Sequence, residues 1–266
     1  MTDLRDPVSQ LIAQFGEQHV VAFVLVLARV SPLFILAPLF SSRMVPARVR
    51  GIVAVALAIG LSPVVGSAQE IPVDVMGIGE LILKELLVGG AFAFVLGALF
   101  AAISVAGTFL DTLIGFAFGA TVDPIHGNSS AVLSQTYGLI AVLIFIAIGG
   151  DAWVIEGLAR TYDVVGLTDM PSLGHLVAGT GAAFVKIFTS AIQVAGPVML
   201  ALILTDAAFG VVSRVVPQLN VFAVGFPAKV AVGLLMVGVS LPFAAGWLAD
   251  ELQRSVSSAL ESLRVA

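Results

Sequence analysis

Six long apolar stretches, at about 20–40, 51–68, 86–109, 133–150, 182–209 and 230–248, set the terms on which this chain can fold. Each is close to the roughly 20 residues that a helix needs to cross the hydrocarbon of a bilayer. In lipid a backbone must satisfy its own hydrogen bonds, so the chain reads as all-α, a polytopic helical membrane protein of about six apolar segments. Composition agrees. Of 266 residues, 59% are apolar and only 11% charged, where a soluble domain carries about 25% charged residues. That is too little polar surface to wrap a core of this size, so the apolar excess faces lipid or partner chains. No polar linker or low-complexity tract divides the sequence, which reads as a single membrane domain over 1–266.

The ends differ from the spans. Asp6-Pro7 has the form of a helix start, and Val8, Leu11, Ile12 and Phe15 then share one face, predicting an amphipathic helix at about 7–19. Leu252, Val256, Leu260 and Leu263 line one face of a second amphipathic helix at about 250–264, read as a surface or partner-binding element. The net charge is −5 without any run of Lys or Arg, which gives no support to nucleic-acid binding. Cysteine is absent, which removes disulfides and thiolate chemistry. Arg43, Arg48 and Arg50 cluster in the first loop and, by the positive-inside rule, place it on the cytoplasmic side.

The spans are poor simple anchors. Arg29, Pro32 and Pro38 fall in the first stretch, and Lys186, Gln193, Pro197 and Asp206 in the fifth, with Pro63 and Pro242 elsewhere. A charge costs several kcal/mol in lipid unless it is paired or hydrated. Proline frees a carbonyl that neighbouring helices or water must satisfy. Two readings stand for any one residue: an ordinary proline-tolerant span with a snorkelling Lys186, or a helix facing partners and a wet cavity. Glu80 and Lys84 are spaced to pair at the start of the third span, which leaves Glu85 to find another partner.

Residues 107–127 mix Phe109, Phe116 and Phe118 with Gly107, Gly115, Gly119, Asp111 and Asp123. So much glycine predicts a loop, either a re-entrant structural element or a phenylalanine-bearing segment lining a cavity. No catalytic constellation accompanies it. His19, His126 and His175 are scattered, and the sequence has no metal-ligand spacing, phosphate-binding glycine loop or nucleophile elbow, so neither an enzyme nor a cofactor is expected.

Between the fifth and sixth stretches, Arg214 is followed by PQLNVFAVGFPAK at 217–229, expected as a shaped loop over 214–229 with Pro217 and Pro227 as brackets, Asn220 as a turn or cap, and Gly225 as a bend. This string, with Gln218, Phe222 and Lys229, resembles the signature of the FliR family of flagellar type III export proteins. Arg29 with Ser31-Pro32, the Lys84-Glu85 pair, and Asp206 with Gly210 fit the same resemblance, which covers essentially the whole chain. The virulence-secretion proteins SctT, SpaR and YscT share much of this layout, but the Gly225-Phe226-Pro227 triplet is more similar to the flagellar branch. At 149–151 the chain departs from the family, which often carries a histidine there, so no role is transferred to those residues.

The resemblance implies a non-enzymatic subunit of a helical export gate in the bacterial inner membrane, at the flagellar basal body. It implies FliP and FliQ as gate partners, FlhB and FlhA as neighbours, and unfolded flagellar proteins as cargo. It implies helices arranged as bent hairpins in a pore assembly, part of it raised toward the periplasm. It further implies a pore plug at 107–121, with Phe109, Gly115, Phe116, Phe118 and Gly119 as its residues. Arg29, Lys84, Glu85, Lys186 and Asp206 are the buried or assembly charges. An injectisome export-apparatus subunit is the near alternative, and a secondary transporter is the alternative from another class.

Overall fold

The computed structural model describes residues 7–37, 46–65, 74–116, 132–218 and 220–263. Among them are seven α-helices: α1 (Pro7–Leu36), α2 (Ala47–Val65), α3 (Val75–Ile114), α4 (Val132–Ala147), α5 (Gly150–Val164), α6 (Leu173–Val215) and α7 (Val221–Ser262). Four contain segments long and apolar enough to cross a membrane, and α4 with α5 makes a fifth if that pair, bent by 75°, is one broken span. The all-α, polytopic reading holds.

Three helices are longer than a bilayer requires. At 40, 43 and 42 residues, α3, α6 and α7 each extend roughly 60 Å, about twice the hydrocarbon thickness. Proline does not stop α1, α6 or α7, since Pro32, Pro197, Pro227 and Pro242 all lie inside these helices. Among the described residues the one sharp break comes at glycine. Gly149, with φ of 68°, ends α4 through a hydrogen bond to the Ile146 carbonyl (3.1 Å), and α5 starts at the next residue.

Several boundaries differ from expectation. The amphipathic segment at 7–19 is not separate but runs into the first span as one helix, because only Gly16 weakens the helical pattern where the two meet. Asp6 lies outside the described residues. The segment at 250–264 likewise continues α7 as far as Ser262. Nor is its apolar face left for a partner: Leu252 and Leu263 are fully buried, and Leu263 packs with Val88, Ala91, Val165 and Leu176. The chain forms two compact units, Met1–Gly97 with Ala152–Ala183 and Arg254–Ala266, and Ala98–Asp151 with Phe184–Gln253. The passage from one to the other falls within α3, α5, α6 and α7.

Candidate functional site: one buried charge cluster and a cross-linked hairpin

In the first unit, Arg29 of α1 is fully buried and its guanidinium meets three elements. Both forks engage the Glu85 carboxylate of α3, one through Nε and the other from Nη2 to Oε1 at 2.9 Å. Nη1 donates to the Thr161 hydroxyl of α5 at 3.2 Å, and the ring of Tyr162 lies 3.9 Å from Cζ. The planar fork suits this site because a carboxylate accepts two parallel bonds and an aromatic face accepts a cation.

Lys84 completes the cluster. Its ammonium donates to the carbonyls of Gly166 (2.8 Å) and Leu167 (2.7 Å) just after α5 and lies 2.7 Å from Glu85 Oε1. Those three acceptors use all three of its protons, so the expected Glu80–Lys84 pair does not form and Glu80 is exposed. The reason is energetic. A lysine on the buried face of α3 gains more from interior acceptors than from a carboxylate one turn away in solvent.

Close backbone contact brings the cluster together. A Cβ at Gly89 would overlap the Arg29 carbonyl oxygen, so only glycine lets α1 and α3 approach this closely. The sequence singled out Arg29, Lys84 and Glu85; it did not reveal Thr161, Tyr162 or Gly89. Arg29 is separated from Thr161 by 132 positions, and no local periodicity links them.

In the second unit, α6 and α7 form an antiparallel hairpin tied by three polar pairs: Asp206 with Lys229 (2.6 Å), Gln193 with Trp247 (3.2 Å), and Lys186 with Glu251. Numbers fall along α6 as they rise along α7, so one register holds through all three. Lys186 therefore has a protein partner on α7, Glu251, which the sequence did not single out. The Asp206–Lys229 pair joins a buried-charge candidate to the last residue of the signature string. It is not deeply buried, with side chains 51% and 18% exposed.

The signature is not a loop over 214–229. Arg214 sits in the last turn of α6, only 216–220 lies between the helices, and the Asn220 side chain accepts from Ala223 N (3.1 Å) as an N-cap. Helix α7 thus begins early. Gly225 and Pro227 lie within it, at the cost of the one bond that Pro227 cannot donate. Pro217, Gln218 and Asn220 are exposed; of Phe222 only its place in the first turn of α7 is described.

The glycine-rich segment is also corrected. Residues 107–114 are helical, part of α3, and half-buried Phe109 projects from that helix and not from a loop. Gly107 is required there by packing, because a Cβ would stand 2.5 Å from Ser134 Cα of α4. The helix ends at Gly115, whose φ of 99° favours glycine and whose N–H bonds the Asp111 carbonyl (3.1 Å). The Phe226 ring of the signature string lies 3.2 Å from where a Gly115 Cβ would be. Phe116 is half-buried in the same turn. Phe118, Gly119 and His126 lie outside the described residues.

Long apolar helices, buried charges with partners, and a wide exposed apolar surface on α6 and α7 define a polytopic α-helical membrane protein. The family model described as bacterial export proteins, family 1, matches residues 20–255. The flagellar biosynthetic protein FliR of Bacillus subtilis is 32% identical over 223 residues, covering 83% of this chain and 86% of that protein. FliR of Escherichia coli is 29% identical over 219 residues, covering 82% and 84%. The surface presentation of antigens protein SpaR of Shigella sonnei is 26% identical over 226 residues, covering 84% and 87%. The chain belongs to the FliR family of bacterial export proteins.

Proposed function

We propose that this chain is a non-enzymatic subunit of the flagellar type III protein export gate in the bacterial inner membrane, and that it helps to form and plug the channel for unfolded flagellar subunits. The observation that carries this reading is the family match over nearly the whole length, to proteins named for flagellar biosynthesis. The long apolar helices support it. A 42-residue helix with only 17% of its most apolar 18-residue stretch buried needs lipid or other chains along its length. FliP and FliQ are the proposed gate partners, with FlhB and FlhA adjacent, and bent hairpins such as α6–α7 are the proposed stacking units.

Phe109, Phe116 and Phe118 serve as the stopper in this reading, blocking the lumen by bulk and by dewetting, with Phe109 fixed on α3 and Gly115 and Gly119 giving Phe116 and Phe118 room to swing. Energy enters through other components of the machinery. The test is copurification: the tagged chain, extracted in mild detergent, carries FliP and FliQ with it. If it purifies alone or as a homo-oligomer, the secondary-transporter reading takes over. The injectisome reading rests on the SpaR relatives, and loss of injected-effector secretion with flagella intact would favour it.

A further inference from the structure

The buried carboxylate of Asp111 plays no part in the reading above. It lies on α3, one turn before Gly115, and is almost wholly buried. No cation meets it in the described structure; instead Oδ1 accepts from Leu133 N (2.9 Å) and Oδ2 from Ser134 N (3.0 Å), the amides of the second and third residues of α4. Those are the donors that an N-cap side chain ordinarily takes. Ala131, which precedes α4 in sequence, has no side-chain acceptor to offer, so a residue from another helix supplies both. The positive end of the α4 dipole then stabilises the buried charge, and the charge satisfies the helix.

Two further contacts act at the same place. The Ser134 hydroxyl donates to the Ser104 carbonyl of α3 (2.9 Å), and Gly107 lets the α4 backbone touch α3 directly. The carbonyl of Ser104, the missing Cβ of Gly107 and the carboxylate of Asp111 all lie on one face of α3, and all meet the first turn of α4. The two helices that flank the connection 115–131 are therefore fastened at its base.

We infer that Asp111 is the positioning residue of an α3–α4 clamp that stays closed while the gate works, so that opening does not proceed by parting of α3 from α4. Separation of these helices would expose an uncompensated carboxylate and strip α4 of its cap in one step. The role during export rests on the gate reading; the clamp itself does not.

The chain has no cysteine, which makes a direct test simple. A Cβ at Gly138 of α4 would stand 3.8 Å from Ser104 Oγ, within reach of a disulfide, and neither position contributes a side-chain atom to the clamp. The S104C/G138C pair should oxidise rapidly in native membranes. Addition of Asp111→Ala should slow that cross-link by roughly tenfold, as loss of hydrogen bonds to a charged group implies, with Asp111→Asn between the two. An unchanged rate in Asp111→Ala would overturn the clamp. In cells, the oxidised pair should leave flagellar-subunit export running at the rate of the reduced pair. Arrest on oxidation with recovery on reduction would overturn the claim that the clamp stays closed. A Phe116→Ala variant that leaks no ions would remove the plug reading and leave both arms of this test intact.

Discussion

Helices α3 and α7 are nearly the same length and both strongly apolar, yet the chain treats them differently. In α3, 67% of the most apolar 18-residue stretch is buried; in α7 the figure is 17%. Their charges follow suit. Lys84 and Glu85 on α3 are sealed from solvent with every strong partner supplied by the chain itself, whereas Lys229 on α7 pairs with an Asp206 that is half exposed. Burial of an ion pair is expensive and is sustained only where geometry and extra hydrogen bonds are complete, as they are around Arg29. The exposed pair has no such need if water or another chain lies beside it. The buried cluster of the first unit thus ties α1, α3 and α5 to one another, whereas the α6–α7 hairpin leaves a wide apolar surface exposed.

The contrast breaks most readily at Glu85. Glu85→Ala leaves Arg29 buried without its carboxylate and should cost about 3–5 kcal/mol, read as loss of steady-state protein and a collapsed thermal transition. Asp206→Ala should cost the isolated chain less than about 1 kcal/mol by the same measurement. Equal effects would erase the distinction. Lys84→Met comes next, at about 1.5–3 kcal/mol, because it abandons the Gly166 and Leu167 carbonyls while Glu85 keeps Arg29. Gly89→Ala, which forces α1 away from α3, should cost about 1–3 kcal/mol in thermal unfolding. Gly181→Ala on α6 meets open space and should stabilise the same transition by up to about 1 kcal/mol.

Much of this fold was legible because lipid enforces helix formation and helix length can be read from apolar runs. Arg29, Lys84 and Glu85 were visible as residues out of place in their surroundings. Their pairing was not, because it depends on how α1, α3 and α5 pack, and Gly89 gives no local sign that it admits a carbonyl. The glycine content of 107–114 suggested a loop through composition alone. In the structure Gly107 is there for contact with α4, so a tertiary requirement outweighs a weak local propensity. Pro227 shows the same effect: by local propensity it brackets a loop, while in the structure Asn220 starts the helix before it. Asp111 stood in plain view within the segment, but its partners are amides, which leave no trace in side-chain sequence.

The claim that α7 offers its exposed face to other export proteins can be tested where the chain is most bare. A photo-reactive residue at Leu235 or Val239, 64% and 67% exposed, should cross-link in native membranes to FliP or FliQ, while the same probe at fully buried Phe92 should yield only intrachain products. Adducts at Leu235 and Val239 confined to lipid, or to a second copy of this chain, would contradict the account.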